Sequence, residues 1–185
     1  MSSGDLKVLA WVGSLRAGSL NRRLLEAAIE LSPEGMVFRT FDLAPLPFFN
    51  ADVEAQGIPE AVSSLKSALG ASDALLIATP EYNFGAPAIV KNAIDWASRP
   101  PGQSSLQGKP VALMGASPGM GGTVRAQMQL RQSFVFTGSP ALLQPEVLVG
   151  RAQEKFDAAG RLTDEATRKA VRRMLEAFAV WIRRF

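Results

Sequence analysis

KVLAWVGSLRAGSLNRRLLEAAIELS, residues 7–32, decides the fold. Its first seven residues are almost all apolar, as in a strand buried on both faces. From Asn21 the apolar residues fall at helical spacing. The turn between them is rich in Ser and Gly. A buried strand that passes through a short polar loop into an amphipathic helix is the opening unit of a sheet covered by helices on both sides.

The same unit recurs along the chain. DALLIAT (73–79) and PVALMGA (110–116) are equally apolar and read as central parallel strands. MVFRTFDL (36–43) alternates and reads as a more exposed strand, and ALLQPEVLVG (141–150) reads as a fifth whose Pro145 suits an edge or a bulge. Helical patterns fill the gaps at 21–32, 59–72, 87–98 and 123–136, with Pro59 and Pro87 at first-turn positions. The order βαβαβαβαβα predicts an α/β doubly wound five-stranded parallel sheet. No linker divides the 185 residues, so residues 1–185 are expected to form one domain. The stretches 44–58 and 99–109, rich in Pro, Gly and Ser, read as long loops.

Composition excludes much chemistry. The chain contains neither Cys nor His, which removes disulfides, thiol nucleophiles, Ser-His-Asp triads and thiolate or imidazole metal sites. What remains is Asp, Glu, Lys, Tyr and Ser, or a cofactor with its own reactivity. The net charge of +3 raises the question of nucleic acid. However, Arg168, Lys169, Arg172, Arg173, Arg183 and Arg184 interleave with Val171, Met174, Leu175, Phe178, Trp181 and Ile182, the pattern of a solvated helix face rather than a binding stripe. No apolar run approaches the ~20 residues that span a bilayer. MSSGDLKVLAWVG carries an acid where a secretory signal needs a basic flank, so a cytoplasmic protein is expected.

In such a sheet the loops after the first, third and fourth of these strands share the carboxyl edge, where open α/β sheets bind ligands. They are GSLRAGSLN (13–21), PEYNFGAP (80–87) and GASPGMGG (115–122). The first offers hydroxyls, a cation and N–H groups at a helix start, which suits a phosphate. It lacks G-x-G-x-x-G and G-x-x-x-x-G-K-[ST], so a dinucleotide fingerprint and a triphosphate loop are both excluded. The second offers backbone donors and acceptors, Tyr82 and Phe84 to cover a planar ring, and Gly85 to turn tightly. The alternatives are a helix-capping turn at the first loop, a packed turn at the second and a helix lead-in at the third.

GSLRAGSLN, PEYNFGAPAIVKNAIDWASR and GASPGMGGTVRAQMQLRQ, in this order, resemble the NADPH-dependent FMN reductase family, which includes bacterial quinone, chromate and azo-dye reductases. The resemblance runs from about residue 7 to 150. It implies a flavodoxin-like sheet of order 2-1-3-4-5 holding FMN noncovalently. Carried over residue by residue, Ser14, Leu15, Arg16, Ala17, Gly18, Ser19, Leu20 and Asn21 wrap the FMN phosphate, with Ser14, Arg16, Ser19 and Asn21 as side-chain contacts. Pro80, Glu81, Tyr82, Asn83 and Phe84 line the isoalloxazine, and Ser117 approaches it from the fourth strand's loop.

The activity this implies is an NAD(P)H-dependent oxidoreductase that reduces quinones or similar acceptors (chromate, azo compounds, free flavin, ferric complexes) by ping-pong hydride transfer. The flavin carries the chemistry, so no catalytic residue and no metal is assigned. Family members assemble as dimers or tetramers. Helices 87–98 and 123–136 carry Ile94, Trp96, Met128, Leu130, Phe134 and Phe136 around more than one face, which points the same way. The rivals are a flavodoxin-type electron carrier without its own NAD(P)H turnover, and a structural domain with an empty site.

Overall fold

The computed structural model describes residues 4–185. The first three residues of the stretch read for a signal lie outside the described residues. Five parallel strands, β1 (Leu6–Val12), β2 (Met36–Phe41), β3 (Ala74–Ala78), β4 (Val111–Ala116) and β5 (Val147–Val149), form one sheet in the order β2-β1-β3-β4-β5. This is the flavodoxin-like order. The register runs Val8 beside Ala74 and Leu75 beside Val111, so β1, β3 and β4 end together at one edge.

Alternation along the buried strands feeds two cores. Val8, Ala10, Leu76, Ala78, Ala112 and Met114 face α1 (Leu20–Glu30) and α6 (Glu165–Ile182), meeting Leu24, Leu25, Met174 and Phe178. Leu9, Trp11, Leu75, Ile77 and Leu113 face the other way, toward α3 (Glu60–Gly70), α4 (Ala88–Ala97) and α5 (Val124–Thr137). Two apolar faces require two helical layers, which is why these strands carry almost no polar residues. The C-terminal charges do lie opposite a buried stripe of Val171, Met174, Leu175, Phe178 and Ile182.

Several boundaries differ from the sequence reading. The stretch 44–58 is not all loop: it contains α2 (Ala51–Gln56), capped by the Asn50 side chain on the N–H of Asp52. The fifth strand is only three residues long. Its expected first half makes one bridge, Ala141 to Val111, and Pro145, which has no N–H to give a ladder, separates that bridge from β5. Pro59 and Pro87 are N-cap residues with extended ψ, so α3 and α4 begin one residue later. Among the described residues no helix is long and apolar enough to cross a membrane.

Candidate functional site

The loops after β1, β3 and β4 meet at the carboxyl edge. Gly13 leaves β1 so close to its neighbours that a Cβ there would stand 2.8 Å from Val90 Cγ2 and 2.9 Å from Pro80 Cδ. That contact presses loop 14–19 toward the loop after β3. Ser19 caps α1 by accepting the Arg22 N–H at 3.2 Å. Ser14 Oγ accepts the Arg16 N–H at 3.4 Å and the Tyr82 hydroxyl at 3.3 Å. Both serines are buried and keep their own hydroxyl hydrogens to donate. The N–H groups of Leu15, Ala17, Gly18, Leu20 and Asn21 find no acceptor among the described residues. The Arg16 side chain is exposed. Free N–H groups at a helix start, hydroxyl donors and a cation are the donor set of an anion site.

Around this loop is a cup of about 80 Å3 lined by Ser14, Arg16, Ser19, Leu20, Asn21 and Pro80, among others. A cavity of about 650 Å3 lies beside it, lined by Asn83, Phe84, Gly119, Met120 and Arg125. Glu81 and Ser117 line both, so cup and cavity adjoin. Leu15 does not line the cup; it lines a further hollow beside Thr40 and Asp42 that shares Ser14 with it.

The loop after β3 closes as a two-residue hairpin, with the Tyr82 N–H donating to Gly85 O at 3.0 Å and the Gly85 N–H to Tyr82 O at 2.9 Å. The turn is not made by Gly85. Asn83 at φ 49 and Phe84 at φ 62 occupy the left-handed region instead, the two central positions of a type I′ turn. Gly85 is small because Gln129 approaches: an added Cβ would lie 3.1 Å from Gln129 Oε1, which accepts the Ala86 N–H at 2.8 Å. The N–H groups of Glu81, Asn83 and Phe84 find no acceptor among the described residues.

Two predicted contacts have structural work as well. Asn21 donates to Ala116 O at 2.9 Å and accepts the Ala116 N–H at 2.8 Å, so one amide hydrogen remains for a ligand. Glu81 points its carboxylate at the start of α5, accepting the N–H groups of Arg125 at 2.9 Å and Ala126 at 3.2 Å. Its oxygens thus complement the helix's positive end. Arg125 also pairs with Glu81 at 3.4 Å and lays its guanidinium 4.1 Å from the centre of the Phe84 ring. Sequence reasoning missed Arg125 and Met120 as lining residues. An Arg two places after the Gly-Gly-Thr at a helix start was the available signal.

Residues 6–154 match the NADPH-dependent FMN reductase family. The chain belongs to that family. Its relatives include an NAD(P)H-dependent FMN reductase of Pseudomonas aeruginosa, 49% identical over 182 residues and covering 98% of each chain. A quinone reductase of Pseudomonas putida is 41% identical, covering 93% of this chain and 92% of its own. Among solved structures, the flavoenzyme NAD(P)H:(acceptor) oxidoreductase FerB of Paracoccus denitrificans superposes with a TM-score of 0.90 at 40% identity, over 97% of this chain and 98% of its own. An FMN reductase family member is an oxidoreductase whose cofactor is FMN. The site fits that cofactor: the cup has an anion's donors, and the cavity, within the usual range of about 300–1,000 Å3 for ligand pockets, is lined by Glu81, Asn83 and Phe84, whose N–H groups find no acceptor among the described residues.

Proposed function

We propose that this protein is an FMN-dependent NAD(P)H:quinone reductase working by ping-pong turnover, in which donor and acceptor use the same cavity in turn. The observation that carries the reading is that the anion cup and the ring-sized cavity lie side by side and share Glu81 and Ser117 as lining. Bound FMN would supply the redox chemistry, accepting hydride from the nicotinamide and passing electrons to the acceptor.

The chain's own residues bind and orient. Ser14, Ser19 and the N–H groups of Leu15, Ala17, Gly18, Leu20 and Asn21 hold the phosphate, Arg16 offsets its charge, and Asn21 contributes its one free amide hydrogen. Pro80, Tyr82 and the N–H groups of Glu81, Asn83 and Phe84 fix the ring's edge, with Ser117 opposite. Those N–H dipoles face the place where negative charge accumulates, and being fixed in advance they need no reorganisation. Solvent supplies the acceptor's protons, so no side chain is assigned as an acid. Quinones are the favoured acceptors because relatives at 40–41% identity carry that name. Chromate, azo compounds, free flavin and ferric complexes enter the same open cavity as secondary acceptors.

Residues 1–185 act as one cytoplasmic domain that assembles as a homodimer or homotetramer. Met128, Val135 and Phe136 lie exposed on one face of α5 and supply the apolar surface for that contact. The test is an absorption spectrum with cofactor extraction, followed by steady-state NAD(P)H oxidation with a soluble quinone. FMN and quinone-dependent turnover are expected. Recovery of mainly FAD would refute the reading of the cup, and a yellow protein without turnover would establish the flavodoxin-type carrier.

A further inference from the structure

We propose that Arg151 reads the 2′-phosphate of NADPH and makes this enzyme prefer NADPH to NADH, an inference that rests on NAD(P)H being the electron donor. A nicotinamide in the ring cavity leaves the adenosine end of the dinucleotide to be housed. On one side the continuation is the cup that holds the FMN phosphate. On the other, Met120 lines both the ring cavity and a third cavity of about 510 Å3, which is walled by Gly150, Arg151, Glu154, Lys155 and Asp164. That third cavity adjoins the ring cavity at Met120 and has the volume to take a ribose and its phosphates.

Its cations are not equivalent. Lys155 donates to Thr167 Oγ1 at 3.2 Å and pairs with Asp164 at 3.6 Å. Arg125, in the ring cavity, is held by Glu81 and the Phe84 ring. The Arg151 guanidinium makes no hydrogen bond or ion pair among the described residues. Its five donors are therefore free for a phosphate, which guanidinium geometry suits.

The main chain beneath Arg151 is fixed to the wall of the ring cavity. The Arg151 N–H donates to Gly119 O and the Ala152 N–H to Ser117 O, both at 3.0 Å, and the Ser117 N–H donates to Val149 O at 2.9 Å. Gly150 permits this approach, since a Cβ there would stand 2.3 Å from Met120 O. Arg151 itself takes φ 47, a left-handed conformation uncommon for a residue with a side chain. Arg151 is thus an unpaired cation on a constrained turn whose backbone is bonded to the loop that carries Ser117.

Glu154 in the same cavity supplies the opposite preference, because a carboxylate suits the free ribose hydroxyl of NADH. The experiment compares wild type, Arg151→Ala and Glu154→Gln as FMN-loaded enzymes. It measures kcat/KM for NADPH and NADH with a soluble quinone, and binding of 2′,5′-ADP against 5′-AMP by calorimetry. Arg151→Ala is expected to lower the NADPH-to-NADH selectivity ratio about ten- to hundredfold, the size of one lost hydrogen bond to a charged group. It should weaken 2′,5′-ADP binding by a similar factor. The proposal is overturned if the ratio and 2′,5′-ADP binding are unchanged, if both donors lose equally, or if wild type prefers NADH and Glu154→Gln removes that preference. If wild type oxidises neither donor, the parent reading fails, and calorimetry still decides whether Arg151 binds the 2′-phosphate.

Discussion

Asn21→Ala should destabilise the apoprotein by about 2–4 kcal/mol. The register explains why. Thr79 N–H donates to Met114 O, so residue 114 of β4 turns its backbone groups toward β3. Ala116, two places on, turns the same way, but β3 has already ended, and the Glu81 N–H that would continue the ladder finds no acceptor among the described residues. The Asn21 side-chain amide, which carries the same donor and acceptor as a peptide, takes the vacant place with bonds of 2.9 and 2.8 Å to Ala116. Both residues are buried. Truncation leaves one buried N–H and one buried C=O unpaired, each costing about 1–3 kcal/mol, and water entering the adjacent cup lowers the sum. The assay is urea unfolding of the apoprotein. With a slope of about 1–3 kcal/mol per molar, the midpoint should fall by about 1–2 M without a change in slope. Asn21→Asp should not rescue it, because a carboxylate oxygen would then oppose the Ala116 carbonyl. An apoprotein midpoint equal to that of wild type, with weakened FMN binding alone, would refute the reasoning and make Asn21 simply a phosphate ligand.

Arg16→Ala should weaken FMN binding by about 1.5–3 kcal/mol, the range for hydrogen bonds to charged groups; titration of the apoprotein checks this, and an unchanged dissociation constant would mean that Arg16 points away from the phosphate. Asp164 caps α6, and hydrogen bonds from the Thr167 hydroxyl and N–H, then Lys155, hold its carboxyl below the ordinary aspartate value. A depressed folded value stabilises above the unfolded value of about 3.9 and is lost as pH falls through the folded one. Asp164→Ala should therefore cost about 1 kcal/mol at neutral pH, with the gap to wild type closing below about pH 4 in pH-resolved thermal melts. Phe136, 89% exposed on α5, should matter for assembly: light scattering is expected to show an oligomer for wild type and a smaller species for Phe136→Asp, and a wild-type monomer at micromolar concentration would refute the assembly proposal.

The sheet was legible because β1, β3 and β4 are buried on both faces, and only a helix-covered parallel sheet tolerates strands so uniformly apolar. β5 was overextended because apolar content continues through Ala141 and Leu142, whereas pairing stops at Pro145, whose missing N–H is a matter of hydrogen bonding rather than hydropathy. α2 was invisible because six residues are too few to show a period. In the site, the residue types were legible and their orientations were not. Gly85 was read as the turn maker because glycine commonly fills left-handed positions; here Asn83 and Phe84 do so, and the side chain of Gln129 claims the space at Gly85. The second duties of Asn21 and Glu81 depend on partners 95 and 44 residues away, beyond the reach of any local pattern.

The hairpin at 82–85 and the glycine-rich loop after β4 are fastened to one helix: Glu81 and Gln129 bond the hairpin segment to the first two turns of α5, and the glycine-rich loop runs directly into its start. The slot between them therefore has a preset width and cannot work as a pair of closing jaws. An isoalloxazine would slide in edgewise along a rigid channel, and its escape would be timed at the other end, where the phosphate must first be unhooked from the loop around Arg16.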